Sequence, residues 1–284
     1  MRNIFWPQYL WESYLRKDYL WTVYLWKGYL RKGNRMEKTE LGRKVCYYTG
    51  SMESFQKLLI WPMGKHEETE MKHMFDSLSP VLKKQNCLFA AWQVEDWNRE
   101  LSPWEAPAAF GNGDFSGQGA QSLNWLTQVC IPHFQKCFAE KSSAEEGSTE
   151  KSLTKNQEGI PVFLGGYSLA GLFALWALHE TDLLSGAASC SGSLWYPSFL
   201  EYVKKKEAES EREKGRSVYL SLGTKEAKSR NPVLSTIKKC TEELYDFYQN
   251  RPDFHAILEW NPGNHFTEPM ERLLKGFRWL IEGS

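Results

Sequence analysis

The stretch GIPVFLGGYSLAGLFALWALHE, residues 159–180, decides the fold. An apolar run, Pro161–Leu164, leads into Gly165-Gly166-Tyr167-Ser168-Leu169-Ala170-Gly171, and an apolar helical pattern follows at once. A short unbroken apolar run suits a strand buried on both faces. When such a strand turns sharply into a helix, the residue at the turn is lifted above the sheet edge. Crowding there demands small residues two before and two after the apex. Gly166 and Ala170 flank Ser168 in this way, although glycine is the usual residue at the second position. Ser168 is therefore read as a nucleophile at a helix N-terminus, where the Leu169 N–H and the helix dipole face a developing oxyanion. The plainer alternative is a glycine-rich turn with a capping serine.

Outward from this turn, short apolar strands alternate with helical patterns from Val45 onward, which predicts βαβ units. Strands are expected at Val45–Tyr48, Leu58–Trp61, Cys87–Gln93, Pro161–Gly165, Gly186–Cys190, Val218–Leu222 and Ala256–Trp260. Helices are expected at Glu67–Lys84, Gly119–Phe138, Ser168–His179, Pro197–Glu213, Pro232–Gln249 and Pro269–Ile281. The last three carry proline near their starts, where its fixed φ is tolerated. Two charged stretches, Lys141–Glu158 and Lys204–Lys214, read as solvated surface and not as linkers. The expected architecture is α/β, a mostly parallel central sheet with helices on both faces, forming one domain over residues 36–284.

Lys plus Arg and Asp plus Glu balance at 35 each, so bulk charge gives no support to nucleic-acid binding. The six cysteines (46, 87, 130, 137, 190 and 240) show no CxxC pair and no zinc-like spacing with histidine. They read as reduced core residues of a cytoplasmic protein, and neither metal nor organic cofactor is implied. In the first 35 residues Tyr-Leu recurs at Tyr9, Tyr14, Tyr19, Tyr24 and Tyr29. A five-residue period advances about 140° net per repeat on a helix and alternates faces on a strand, so it makes no stripe on either. Glu12, Arg16, Lys17 and Asp18 interrupt any signal-peptide core or membrane span. An interfacial aromatic and basic arm is one reading. The favoured one is a weakly ordered, repeat-derived extension, or sequence upstream of a start at Met36.

In α/β hydrolases, whose nucleophile sits on such a turn, the base comes later in the chain with a carboxylate between them. Of six histidines, His66, His73, His133 and His179 come too early or lie within helices, and His255 begins the last strand. His265 follows that strand in the loop Pro262-Gly263-Asn264, where a base belongs. Glu226 is the first carboxylate after the strand Val218–Leu222, with Glu259 as its competitor. The acid would hold the imidazole in the right tautomer. A second oxyanion donor is expected just after the strand Leu58–Trp61. Pro62 has no N–H, which leaves Met63 or Gly64.

At these residues the chain resembles an esterase family of the α/β hydrolases that includes enterochelin esterases, S-formylglutathione hydrolases and mycolyltransferase antigens. The resemblance spans roughly Val45 to Leu280 and rests on GGYSLAGLFALWAL, SCSGSLWYP, SLGTKE and EWNPGNHF, in that order. It implies Ser168 as nucleophile, His265 as base and Glu226 as acid. The family's His-Gly signature after the early strand is replaced by Trp-Pro-Met-Gly. Trp97, Asn98 and Arg99, in VEDWNRELSPWEAPAAFGNGDFSG with Trp104 and Phe110, are candidate walls of a substrate pocket. Tyr167, Trp195 and Tyr196 are candidates for its other side, and aromatic walls suit an apolar or aromatic acyl group. The function expected is hydrolysis of a small-molecule carboxylic ester through an acyl-enzyme. The alternatives are acyl transfer by the same triad and a catalytically inactive hydrolase fold used for binding.

Overall fold

The apolar runs form strands that stack into one sheet in a computed structural model describing residues 36–49, 55–65, 68–109, 113–136, 159–210 and 215–283. The N-terminal repeat, His66, Phe110, Cys137, the stretch 141–158 and residues 211–214 lie outside the described residues. The sheet strands are β1 Glu37–Leu41, β2 Lys44–Thr49, β3 Lys57–Gly64, β4 Cys87–Val94, β7 Val162–Tyr167, β8 Gly186–Cys190, β9 Arg216–Gly223 and β10 Phe254–Asn261. They lie in the order β1-β2-β4-β3-β7-β8-β9-β10. From β4 to β10 neighbours run parallel, while β1 and β2 add an antiparallel edge. A separate two-stranded ribbon pairs β5 Glu105–Ala106 with β6 Phe115–Ser116.

All seven expected strands are present. The sequence reading passes over β1, EKTEL, because its charged composition hides an exposed edge strand of the kind that resists edge-to-edge pairing. β3 runs on through Pro62 to Gly64, so the segment expected as a loop is strand. The register explains why proline is tolerated there. The N–H of Leu58 donates to Pro161 on the β7 side, so even-numbered N–H groups face β7. Pairing with β7 ends at Ile60–Leu164, while pairing with β4 continues to Gly64–Val94. The missing N–H of Pro62 thus falls where the ladder has no partner.

The helices are α1 Glu68–Lys84, the single turn α2 Trp97–Glu100, α3 Gly119–Trp125, α4 Leu169–Glu180, α5 Phe199–Ala208, α6 Ile237–Gln249 and α7 Pro269–Glu282. α3 widens into π-helical turns over Leu126–Cys130. α5 starts two residues after Pro197, and α6 follows a short 3₁₀ turn, Leu234–Thr236; only Pro269 occupies a first helical position. None of the described helices is long and apolar enough to cross a membrane. α1 and α7 cover the sheet face bearing Leu59, Trp61, Phe163 and Tyr219. α3, α4 and α5 cover the face bearing Leu58, Ile60, Leu164 and Leu220. Every residue of α4 from Leu169 to His179 is buried, which accounts for a helix that is apolar all round.

A buried charged cluster pins the far end of α4. His179 Nδ1 lies 2.6 Å from Glu207 Oε1, and His179 Nε2 lies 2.7 Å from the Tyr248 hydroxyl. Arg216 donates to the other Glu207 oxygen at 2.6 Å. Burial pushes the Glu207 carboxyl up, but the hydrogen bonds and charges of His179 and Arg216 outweigh it and hold the group at about 2. A depressed carboxylate stabilises the fold above its unfolded value and loses that contribution as pH falls through the folded one. Glu207→Gln is therefore expected to cost about 3 kcal/mol near neutral pH. The difference from wild type in urea unfolding should shrink as pH falls from about 4.3 toward 2.

Candidate active site

The chain order places β4 on one side of β3 and returns β7 on the other, so connections diverge between β3 and β7. A crevice opens at such a switch point beyond the carboxyl ends of the strands. Ser168 stands there, directly after β7, with φ 56° and ψ −120°. That conformation costs about 1–3 kcal/mol for a residue with a side chain and persists only where its surroundings over-determine it. Its N–H donates to Cys190 O at 3.1 Å, and its carbonyl accepts from Gly171, Leu172 and Ser193. A Cβ on Gly166 would stand 2.5 Å from the Ala170 methyl, so the turn tolerates alanine at 170 only because 166 is glycine.

His265 and Glu226 complete a linear relay. His265 Nε2 is 3.1 Å from Ser168 Oγ, and His265 Nδ1 is 2.8 Å from Glu226 Oε2. Glu226 opens the 3₁₀ turn Glu226–Lys228 after β9, and His265 follows β10. Burial pushes the Glu226 carboxyl up, but hydrogen bonding and positive charge from His265, with the Ser191 hydroxyl and the Gly223 N–H, hold it below its ordinary value. It therefore stays ionised. Glu259, the competing acid, accepts instead from the Tyr219 hydroxyl and ion-pairs with Lys275, on the far side of β10's register.

Glu226 Oε1 receives three donors: Ser191 Oγ at 2.8 Å, Gly223 N at 2.7 Å and Arg272 Nη1 at 2.9 Å. The close approach of Gly223 requires glycine. A Cβ there would lie 2.7 Å from Gly263 O, 2.8 Å from Glu226 Oε1 and 3.0 Å from Arg272 Nη1. Gly223→Ala is expected to displace the acid or the His265 loop and lower kcat by about 10²-fold, read by steady-state ester hydrolysis.

Strand parity separates the two candidates for the second oxyanion donor. The odd-numbered Met63 N–H faces β4, and its side chain is fully buried on the α1 and α7 side. The Gly64 N–H lies on the β7 side, the side of Ser168. The first candidate donor, Leu169 N–H, opens α4 directly after Ser168.

The other expected pocket residues divide. Trp97, which opens α2 after β4, and Trp195, on the loop after β8, are half-buried beyond the strands flanking β3 and β7. The Trp195 ring packs 6.0 Å from Phe115 on the ribbon. Asn98 is spent on the Gly113 carbonyl, and Arg99 pairs with Asp96 at 3.9 Å. Tyr167 is buried, with its hydroxyl donating to the His265 carbonyl at 2.7 Å and its ring 5.3 Å from the His265 ring. Tyr196 is buried too, with its hydroxyl on the Trp104 carbonyl. The sequence reading missed Arg272, Ser191 and Ser193. Arg272 had a signal, since it shares the buried stripe of α7 with Gly276 and Leu280 and is the charge on an apolar face. Ser193, whose hydroxyl lies 3.4 Å from Ser168 Oγ, had none beyond proximity in SCSGSLWYP.

Strand order, parallel sense and the serine turn define an α/β-hydrolase fold. Solved structures of that architecture superpose on the chain. An IroE-like serine hydrolase from Shewanella oneidensis is 15% identical with a TM-score of 0.65, over 88% of this chain and 80% of that one. The siderophore hydrolase EstA from Aspergillus nidulans is 14% identical with a TM-score of 0.63, over 88% and 95%. The enterochelin esterase from Shigella flexneri is 18% identical with a TM-score of 0.54, over 88% and 59%. At these identities the likeness is one of fold. No protein-family model matches the sequence, and no curated protein matches it either.

Proposed function

We propose that residues 36–284 form a serine esterase that hydrolyses a small-molecule carboxylic ester through an acyl-enzyme on Ser168. The observation that carries this reading is the relay Ser168–His265–Glu226, with its 3.1 and 2.8 Å spacings, at the sheet's switch point. Ser168 Oγ attacks the ester carbonyl carbon as His265 Nε2 takes its proton. The oxyanion of the tetrahedral intermediate is held by the N–H groups of Leu169 and Gly64. Collapse expels the alcohol, which leaves with the proton from His265. Water then attacks the acyl-enzyme, giving its proton to His265, and the carboxylic acid departs as Ser168 regains its hydrogen. Glu226, ionised and buried, fixes the imidazole tautomer and stabilises the imidazolium.

The similar folds carry the printed names serine hydrolase, siderophore hydrolase and enterochelin esterase, which supports ester hydrolysis as the reaction class. The free cysteines among the described residues fit a reducing, cytoplasmic setting. The test is a panel of p-nitrophenyl esters of increasing acyl length on purified protein, with His265→Ala beside it. Turnover that depends on His265 supports the reading; turnover equal in both proteins, or in neither, contradicts it.

A further inference from the structure

We infer that Arg272 is the positioning residue of the proposed triad, holding acid and base in one frame and setting the charge that His265 faces. The inference rests on the reading of Ser168, His265 and Glu226 as an esterase triad.

Arg272 lies in the first turn of α7, 2% exposed. Nη1 contacts Glu226 Oε1 at 2.9 Å, Ser191 Oγ at 2.9 Å and the Tyr167 hydroxyl at 3.1 Å. Nη2 donates to the carbonyls of Pro262 and Asn264, both at 2.9 Å. The two Nη1 hydrogens are shared among these three acceptors. Arg272 donates to Tyr167, whose own hydrogen goes to the His265 carbonyl at 2.7 Å. Arg272 also donates to Ser191, whose hydrogen goes to Glu226 Oε1 at 2.8 Å. One planar guanidinium thus holds the acid directly and the base loop at three successive places: residue 262, residue 264 and, through Tyr167, residue 265 itself. Only a fork of fixed geometry reaches both sets of acceptors, so lysine cannot substitute fully.

The charge follows the same geometry. Tyr167 from β7, Ser191 just after β8 and Glu226 after β9 bond the Arg272 guanidinium, Cys190 Sγ lies against its main-chain carbonyl, and among the described residues Glu226 is the one carboxylate bonded to it. Among the described residues, the groups touching the His265 ring are Ser168, Glu226 and, ring to ring, Tyr167 at 5.3 Å and Phe266 at 5.4 Å. In the wild type the Arg272 cation offsets the Glu226 anion as His265 sees it. Removing the cation leaves an uncompensated carboxylate beside the imidazole, which favours the imidazolium. The base then loses its proton only at higher pH.

The test compares wild type, Arg272→Met, Arg272→Lys and Tyr167→Phe as full-length proteins on one p-nitrophenyl ester from pH 5 to 9, with circular dichroism to establish folding. Arg272→Met is expected to lose about 10²-fold in kcat with KM within twofold, and the acid limb of its kcat/KM profile should move to higher pH. Arg272→Lys should restore the limb's position while recovering only part of kcat. Tyr167→Phe should lower kcat about tenfold with the limb in place, because it removes one tie and no charge. If Arg272→Met fails to fold, the lysine and phenylalanine variants carry the same decision. Folded variants with wild-type kcat and an unmoved acid limb overturn the role of Arg272 and leave the triad standing. A wild-type protein without turnover, and without labelling by a fluorophosphonate, overturns the triad reading and this inference together.

Discussion

Ser168→Ala is expected to abolish ester turnover, with a loss of about 10⁶-fold in kcat. The size follows from what the hydroxyl does. In the proposed mechanism it forms the bond to the acyl carbon and gives its proton to His265, whose Nε2 lies 3.1 Å away. Without it the remaining N–H donors and binding contacts retain a residual acceleration of about 10³–10⁴-fold over water. The variant is expected to fold, because the turn is held by main-chain bonds to Cys190, Gly171, Leu172 and Ser193 that do not involve the hydroxyl. Steady-state kinetics beside a urea melt separate loss of chemistry from loss of structure.

Glu226→Gln carries the second large effect, on the order of 10⁴-fold in kcat. The Oε1 position receives donors from Ser191, Gly223 and Arg272, so an amide at 226 must place its oxygen there. Its NH₂ then faces His265 Nδ1. That nitrogen is forced to accept, the ring proton moves to Nε2, and the base can no longer take the proton of Ser168. The same change removes the carboxylate bonded to the buried Arg272 and is expected to cost about 3 kcal/mol of stability, measured by urea unfolding. A variant that keeps wild-type kcat would show that Glu226 does not orient the base.

Much of this fold is legible in the apolar runs, because a parallel sheet covered on both faces needs strands that are apolar throughout. The strand β1 is hidden because an exposed edge strand needs no such run, and EKTEL reads as surface. The end of β3 is hidden because Pro62 signals a break, whereas its missing N–H falls past the end of β7. The serine turn, the late histidine loop and the first carboxylate after β9 could be read locally, since each sits at a strand's end in chain order. The supporting residues could not. Arg272 reaches Glu226 across 46 residues and Tyr167 across 105, and only the packing of α7 against β7, β8 and β9 brings them together. The tie from Tyr167 to the His265 loop is hidden for the same reason, since it spans 98 residues.

The most direct measurement is intact-mass and peptide mass spectrometry after treatment with a fluorophosphonate. Wild-type protein should gain one adduct, mapped to the peptide containing Ser168, at a rate that falls steeply in His265→Ala. Ser168→Ala should gain none. A wild-type protein that stays unmodified, or an adduct that persists in Ser168→Ala, would contradict the assignment of Ser168 as the nucleophile.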